Sequence, residues 1–177
     1  MILNCNLSRR RAIASTILLP WFGSCGSRQA EEQKEEHPSN QDSWFPIRIG
    51  QTSFQLQLAV SSEEKAKGLM NRKSLPDRHG MLFLSDGAKQ QSFWMQSTWI
   101  PLDIGFFDPM GALLEVRKLH PHEVKPVKSR SENILFAVEL NRNAYREAAI
   151  ELGAKLNVDD LRAALKVRGI DPEIHGL

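Results

Sequence analysis

The chain has 177 residues, 41% of them hydrophobic and 25% charged, which suits one globular domain with extensions. The formal net charge is +2 and no dense Lys/Arg run lies beyond the N-terminus, so nothing indicates nucleic-acid binding. The two cysteines, Cys5 and Cys25, both precede the predicted domain. This excludes a disulfide framework, a Cys nucleophile and a Cys-rich metal site in that domain.

Residues 1–24 have the pattern of an export signal. Paired arginines, Arg9 and Arg10, precede an apolar stretch over 12–19, far shorter than the roughly 20 apolar residues that span a bilayer. The pair resembles a twin-arginine export signal, and the ordinary secretory route is the alternative. Residues 22–25, Phe-Gly-Ser-Cys, resemble a bacterial lipoprotein box in which Cys25 becomes the lipidated N-terminus. The alternative is a non-lipidated signal that is cleaved nearby.

Residues 25–43 contain almost no apolar side chains, which predicts a disordered tether. Three of the 23 basic residues lie before residue 25, so the mature chain has 20 basic and 21 acidic residues and is nearly neutral. The sequence therefore predicts an exported, membrane-anchored protein of the cell envelope, on the periplasmic or outer-surface side. Its membrane contact is the lipidated Cys25.

The predicted domain covers residues 44–177 and begins with a β-hairpin over 44–49 and 54–60. In the second strand, apolar residues alternate with polar or small ones, as expected of a half-buried strand. Ser61 and Glu64 then have the spacing of a capping box, which predicts a short helix over 63–70.

The remaining sequence predicts mostly strands, with a long loop over 120–133. Two further helices are predicted over 143–152 and 159–166. The predicted fold class is mainly β (α+β), a compact antiparallel barrel-like sheet with two or three short helices. The remaining strands are predicted over 81–84, 92–95, 104–107, 112–119 and 134–140.

Four sequence motifs in order resemble one known family. They are Gly68-Leu69-Met70 with Arg72, Gly80-Met81-Leu82-Phe83, Phe93-Trp94-Met95 with Thr98 and Ile100-Pro101-Leu102-Asp103, and Ala137-Val138-Glu139-Leu140 with Glu151-Leu152-Gly153. The family consists of small exported or anchored prokaryotic domains of unknown function with an F-W-M…I-P-L-D signature. The resemblance covers about residues 54–157, implies a compact, mostly β, barrel-like fold, and carries over no activity. The family usually has a Gly-Asp turn where this chain has residues 157–160, Asn-Val-Asp-Asp.

Asp103 is the principal candidate functional residue, since it precedes an apolar strand and a buried carboxylate needs a partner. Arg72 is the predicted partner. One interpretation is structural, with Asp103 fixing a turn or forming an ion pair. The other places Asp103 in a ligand pocket.

Trp94 and Met95 are predicted as neighbours on one strand, so that one enters the core and the other faces outward. Trp99 then joins the exposed residue in an aromatic platform for a sugar, peptide or other apolar ligand. The alternative is that both tryptophans serve core or rim packing.

Glu139 interrupts an apolar strand and, with Asp103, suggests a carboxylate pair for acid–base chemistry. The alternative is an ordinary carboxylate on the solvent face of a strand. A copper site is a further alternative, because thioether ligands select Cu(I) and Met is otherwise a common core filler. Its candidate ligands are Met70, Met81 and Met95 with His79, and His120 with His122.

The sequence favours a non-catalytic binding or accessory module for an unknown small molecule or envelope component, without cofactor, metal or nucleic acid. Its predicted ligand surface comprises Arg72, Trp94, Met95, Thr98, Trp99 and Asp103. The alternative is an envelope hydrolase or lyase in which Asp103 and Glu139 act and Arg72 positions the substrate. Copper binding in the periplasm is the third interpretation.

Overall fold

The computed structural model describes residues 42–177. The predicted export signal, Cys25 and the predicted tether as far as residue 41 lie outside the described residues. The elements in chain order are β1 Phe45–Ile49, β2 Thr52–Ala59, α1 Ser62–Lys67, β3 His79–Lys89, β4 Ser92–Phe93, β5 Leu102–Phe107, β6 Leu113–Leu119, β7 Val127–Lys128, β8 Ile134–Asn141, α2 Ala144–Glu147, α3 Val158–Val167 and a 3-10 helix at Pro172–His175.

Six strands form one sheet in the order β1-β2-β3-β8-β5-β6, and β4 pairs with β7 in a separate ribbon. The predicted mainly β fold with short helices is confirmed. The sheet is mixed rather than wholly antiparallel, because α1 and the loop after it return the chain so that β3 runs parallel to β2. The predicted hairpin of β1 and β2 is confirmed.

The predicted barrel-like sheet does not close, because edge strands β1 and β6 do not pair with each other. The segment 153–157 instead hydrogen-bonds to the chain at both edges. The Asn157 amide donates to the Arg48 carbonyl at 2.8 Å, and the Leu113 amide donates to the Ala154 carbonyl at 2.9 Å. The backbone groups at both edges are thereby partly satisfied.

Apolar clusters cover both faces of the sheet. Val138 and Leu140 of β8 belong to the cluster on one face, together with Leu161 and Leu165 of α3. Ala137 belongs to the cluster on the other face. The central strand β8 is consequently buried on both sides, as its nearly continuous apolar sequence indicates.

Three local predictions are wrong in extent. The helix predicted over 143–152 ends after Glu147, and Ala149 adopts a left-handed φ of 52° that a helix cannot continue through. The strand predicted over 92–95 ends at Phe93, and the loop predicted over 120–133 contains strand β7. Within residues 42–177, no helix is long and apolar enough to cross a membrane.

Candidate ligand-binding cleft

Helix α1 forms one wall of the cleft and is held by the predicted capping box. The Ser61 hydroxyl accepts from the Glu64 amide at 3.2 Å, and the Glu64 carboxylate accepts from the Ser61 amide at 2.9 Å. The same carboxylate accepts from the Val60 amide at 2.8 Å. These bonds satisfy amides that the helix start leaves free, so the capping-box prediction is confirmed.

An ion pair between Glu64 and Arg168 fixes α1 against the end of α3. Both side chains are about nine-tenths buried, and the Arg168 guanidinium also donates to the Leu58 carbonyl at 2.7 Å. Burial raises the pKa of Glu64, but the amides of Ser61 and Val60 and the Arg168 guanidinium outweigh it and lower the pKa overall. The wall formed by α1 is therefore anchored to the sheet and to the C-terminal segment.

The cleft itself has a volume of about 340 Å³ and lies between α1 and the region of β3 and β4. This volume falls within the range of small-molecule pockets. Its wall combines apolar side chains, three of them aromatic, with a larger number of polar and charged ones. The lining residues are Ser62, Lys65, Ala66, Lys67, Gly68, Leu69, Met70, Phe83, Leu84, Ser85, Asp86, Lys89, Gln91, Ser92, Phe93, Trp94, Thr98 and Glu139.

Glu139 is the buried carboxyl in this lining. Its side chain projects from β8 on the same face as Met81 of β3 and Ile104 of β5, its partners across the sheet. Glu139 is only 5% exposed, and its carboxyl forms no hydrogen bond or ion pair with any residue in the described part of the chain. Burial alone raises its pKa to about 8, so the carboxyl is mostly protonated at neutral pH.

Aromatic rings form the apolar wall of the cleft. The rings of Phe83 and Phe93 pack edge to face with centroids 5.0 Å apart, and Phe93 also contacts Phe106 at 5.8 Å. Trp94 follows directly and is 53% exposed. The cleft therefore offers fixed rings together with a free indole face, a suitable surface for an apolar or aromatic ligand.

Three lysines among the lining residues give the cleft a positive charge. Lys65 forms an ion pair with Asp86 at 2.9 Å, whereas Lys67 and Lys89 form no ion pair within residues 42–177. The Ser85 hydroxyl also accepts a hydrogen bond from the Gln91 side chain at 3.0 Å. The cleft thus contains one buried, unpaired carboxyl and two amines available to an anionic group.

Only part of the predicted ligand surface lines this cleft. Trp94 and Thr98 do so, and Thr98 is buried. Met95 is 2% exposed and belongs to the core, so one of the neighbours Trp94 and Met95 faces outward and the other inward, as predicted. Trp99 is 59% exposed but lies outside the lining, where its ring packs edge-on against His122 at 4.5 Å. No ring contact joins Trp99 to Trp94 within residues 42–177, so the predicted aromatic platform is not formed.

The predicted pairing of Asp103 with Arg72 is wrong. Asp103 lies 3.0 Å from the Arg142 guanidinium and accepts from the Asn143 amide at 2.8 Å. Arg72 instead donates to the Gln57 side chain and lies over the Trp44 ring, 5.5 Å from its centroid. The strand order causes this outcome, because β5 lies next to β8 and the turn that follows it.

Arg72 does line a smaller cavity of about 20 Å³, which shares Lys67 and Gly68 with the main cleft. Asp103 lines neither cavity. Its buried carboxylate connects β5 to the turn before α2, in the structural role that the sequence left open as one interpretation.

Asp103 and Glu139 do not form a carboxylate pair. Asp103 lies opposite Leu140 and Ile104 lies opposite Glu139 in the antiparallel register of β5 and β8. Directly paired residues project from the same face and successive residues from opposite faces, so the two carboxyls lie on opposite sides of the sheet. The alternative that Glu139 is a solvent-exposed carboxylate is also wrong, because the cluster on that face buries it.

The residues proposed for copper are distributed over different environments. Met70 lines the cleft, Met81 lines the smaller cavity and Met95 is in the core. The His79 ring packs edge-on against Trp44, at 4.6 Å. His120 and His122 line neither cavity. Within the described residues, no group of three or more His, Cys, Asp and Glu side chains is arranged to hold a metal ion.

Residues 45–158 match DUF192, a family described as "Uncharacterized ACR", and this match covers more than half of the chain. The chain belongs to the DUF192 family. No match was found among curated proteins.

Two solved structures resemble this DUF192 domain. A protein of unknown function from Novosphingobium aromaticivorans aligns with a TM-score of 0.61 and 31% identity, covering 64% of this chain and 84% of that one. A structure titled as a putative transcription regulator from Sinorhizobium meliloti aligns with a TM-score of 0.62 and 26% identity, covering 65% of this chain and 93% of that one. Both support the fold of the DUF192 domain.

Sequence reasoning missed most of the cleft in this DUF192 domain. The lysines at 65, 67 and 89 and the rings at 83 and 93 come from separate segments, and no local spacing brings them together. A signal for Glu139 was present, however. The strand 134–140 is otherwise wholly apolar, which indicates burial on both faces and hence a buried Glu139.

Proposed function

We propose that this DUF192 domain is a non-catalytic, ligand-binding accessory module of the cell envelope, and that the cleft beside Glu139 is its ligand site. The observation that supports this function most strongly is the buried Glu139 carboxyl in the lining of a 340 Å³ cleft, without a partner among the described residues. Because this carboxyl lines the cleft, a ligand there can hydrogen-bond to it in surroundings where such a bond is stronger than in water.

The composition of the lining favours binding over catalysis. Its acidic residues are Glu139 and Asp86, and Asp86 is paired with Lys65. The lining contains neither His nor Cys. The hydrolase or lyase that uses Asp103 with Glu139 has no support, because the register separates those carboxyls. Copper binding gains no support either, because Met95 lines neither cavity and His79 packs against Trp44.

The envelope location in this proposal rests on the sequence before the domain. Paired arginines, a short apolar stretch and the residues around Cys25 support export and lipidation, and the polar segment that follows supports a tether. In this proposal the protein contacts the membrane through the lipid on Cys25. The near-neutral charge of the mature chain gives no support for nucleic acid as a partner.

The ligand site can be tested with two tryptophans of similar exposure. Trp94 lines the cleft and Trp99 does not. Saturation-transfer difference NMR with a pooled small-metabolite library should identify ligands of the full-length protein. Trp94→Ala should weaken their binding at least five-fold, because packing of an apolar or aromatic group on the indole ring contributes on the order of 1 kcal/mol. Trp99→Ala should leave binding unchanged. Equal loss in both variants, or loss only in Trp99→Ala, would contradict the assignment of the cleft.

A further inference from the structure

We propose that the cleft selects a zwitterionic small molecule whose cationic nitrogen pairs with Glu139 and whose anionic group contacts Lys67 and Lys89. This inference rests on the proposed function of the cleft as the ligand site. It adds the chemical class of the ligand and the direction in which that ligand lies.

The buried carboxyl determines one end of the ligand. The cross-strand neighbours of Glu139 are Met81 and Ile104, whose side chains offer it no hydrogen-bond donor. A ligand in the cleft can therefore bond to this carboxyl without displacing a partner from residues 42–177. An anionic group there would meet a neutral acid, accept a single hydrogen bond and lose its own hydration. A protonated amine instead pairs with the ionised form of the carboxyl and gains a charge-assisted hydrogen bond in a medium of low dielectric constant.

The surrounding charges determine the other end. The charged groups that line the cleft with Glu139 are Lys65 and Lys67 of α1 and its vicinity, and Asp86 and Lys89 of β3. Asp86 forms an ion pair with Lys65 and is also attracted electrostatically to Lys89 and His175, so three lysines in the lining share one ionised acidic neighbour. From the other side of the sheet, Tyr145 interacts electrostatically with Glu139 but donates its hydroxyl to the Val138 carbonyl at 2.8 Å. This excess of lysines over ionised acidic groups favours an anionic group on the ligand.

The apolar walls determine the part of the ligand between its charges. Phe83, Phe93 and Trp94 present rings in the same lining as Glu139 and the lysines. A molecule that combines a ring or branched chain with an amine and a carboxylate matches these three kinds of side chain in the lining. Aromatic or branched amino-acid-like molecules are therefore the expected class.

Binding of an amine at Glu139 should release a proton from its carboxyl. In the free protein Glu139 is mostly protonated at pH 7, because burial raises its pKa to about 8. When an ammonium group binds, the Glu139 O–H bond breaks, its electron pair stays on the carboxylate, and the proton goes to solvent. The ammonium group keeps its own protons. Binding at pH 7 should therefore release close to one proton per ligand, and this proton comes from Glu139 rather than from the ligand.

Four related probes test the class with the full-length protein: 4-(aminomethyl)benzoate, benzylamine, benzamide and benzoate. Isothermal titration calorimetry in buffers of different ionisation enthalpy gives both affinity and proton release. We expect 4-(aminomethyl)benzoate to bind most tightly, benzylamine next, and benzoate most weakly. Proton release should accompany the two amines only.

Matched variants separate the two ends of the ligand. Glu139→Gln should weaken both amines at least ten-fold and abolish proton release, whereas benzamide affinity should change less than two-fold. Glu132→Gln, an exposed carboxylate outside the lining, is the control and should change nothing. The double variant Lys67→Met, Lys89→Met should weaken 4-(aminomethyl)benzoate, whereas benzylamine affinity should stay the same or rise, because two like charges are removed from the cleft.

Four results would overturn the inference. The placement of the amine at Glu139 would be contradicted if benzoate or benzamide bound more tightly than benzylamine, or if amines bound without proton release. Full amine affinity in a folded Glu139→Gln variant would contradict this placement too. The assignment of the cleft as the ligand site would be unaffected, because Trp94→Ala tests it separately. Failure of all four probes to bind at millimolar concentration would contradict the ligand class alone, because the metabolite library with Trp94→Ala and Trp99→Ala tests the cleft independently.

Discussion

Asp103 and Glu139 belong to adjacent strands of one sheet but project from its opposite faces. Asp103 is bound by the Arg142 guanidinium and the Asn143 amide, whereas Glu139 lines the cleft and binds no described residue. One carboxyl is thus committed to the fold and the other is available to a ligand. Substitution of Asp103 should therefore lower the free energy of unfolding, whereas substitution of Glu139 should change ligand binding and the pH dependence of stability.

Asp103→Ala should reduce the free energy of unfolding by about 2 to 4 kcal/mol, because it leaves a mostly buried guanidinium without its carboxylate. The Arg142 bonds to the Leu102 and Leu119 carbonyls limit this loss. Urea denaturation at pH 7 measures it. Asp159→Ala, which removes an exposed partner of Arg162, is the control and should change the value by less than about 0.5 kcal/mol. A change below 1 kcal/mol in Asp103→Ala would show that this corner is not important for stability.

The pKa of Glu139 makes a prediction about stability and pH. Its folded-state pKa is about 8, above the ordinary value of 4.5, so the unfolded chain loses this proton before the folded protein does. The contribution of Glu139 to stability is therefore fully present below about pH 4.5 and is lost as the pH rises towards 8.

Glu139→Gln removes this dependence. The difference in unfolding free energy between the variant and the wild type should shift in favour of the variant by up to about 1.4 kcal/mol per pH unit between pH 5 and 7.5. Urea denaturation across this range measures the difference and cancels the other titrating groups. Parallel pH profiles for the two proteins would mean that Glu139 is not buried as a neutral acid.

Glu64 should show the opposite pH dependence. Its folded-state pKa is lowered, so its contribution is present above its ordinary pKa and is lost as the pH falls through the folded value. Glu64→Gln retains a capping side chain but loses the charge opposite Arg168, and we expect a loss of about 1 to 3 kcal/mol at pH 7. This loss should shrink in acid below pH 4. Glu63→Gln, one residue earlier and exposed, is the control. An equal loss in both variants would contradict the role of the Glu64–Arg168 pair.

The membrane anchor is tested at the cysteines. Cells supplied with a labelled lipid precursor should incorporate the label into the wild-type protein and the Cys5→Ala variant, but not into Cys25→Ala, because lipidation requires the Cys25 thiol. Membrane fractionation should show the same pattern. Membrane association of Cys25→Ala without label, at the wild-type level, would contradict anchoring through Cys25.

Local patterns in the sequence predicted local structure well. The alternation over 54–60 gave the second strand of the hairpin, and Ser61 with Glu64 gave the start of α1, because both signals act within one element. The pairing of Asp103 with Arg142 rather than Arg72 depends on which strands are neighbours, and no pattern within one element reports that order.

The candidate site shows the same limit. Trp94 and Thr98 were predicted from one segment, but the lysines and phenylalanines beside them come from α1, β3 and β4. Alternation along the strand left two interpretations of Glu139, a carboxylate pair with Asp103 or an ordinary carboxylate on the solvent face. Its position in a central strand, covered on both sides, overrides that alternation.

The most direct test of the ligand site is a crystal of the protein soaked with 4-(aminomethyl)benzoate and a set of small aromatic fragments. We expect electron density in the cleft, against the Trp94 ring and within hydrogen-bond distance of the Glu139 carboxyl. An empty cleft, with fragments bound instead beside Trp99 and His122, would contradict it.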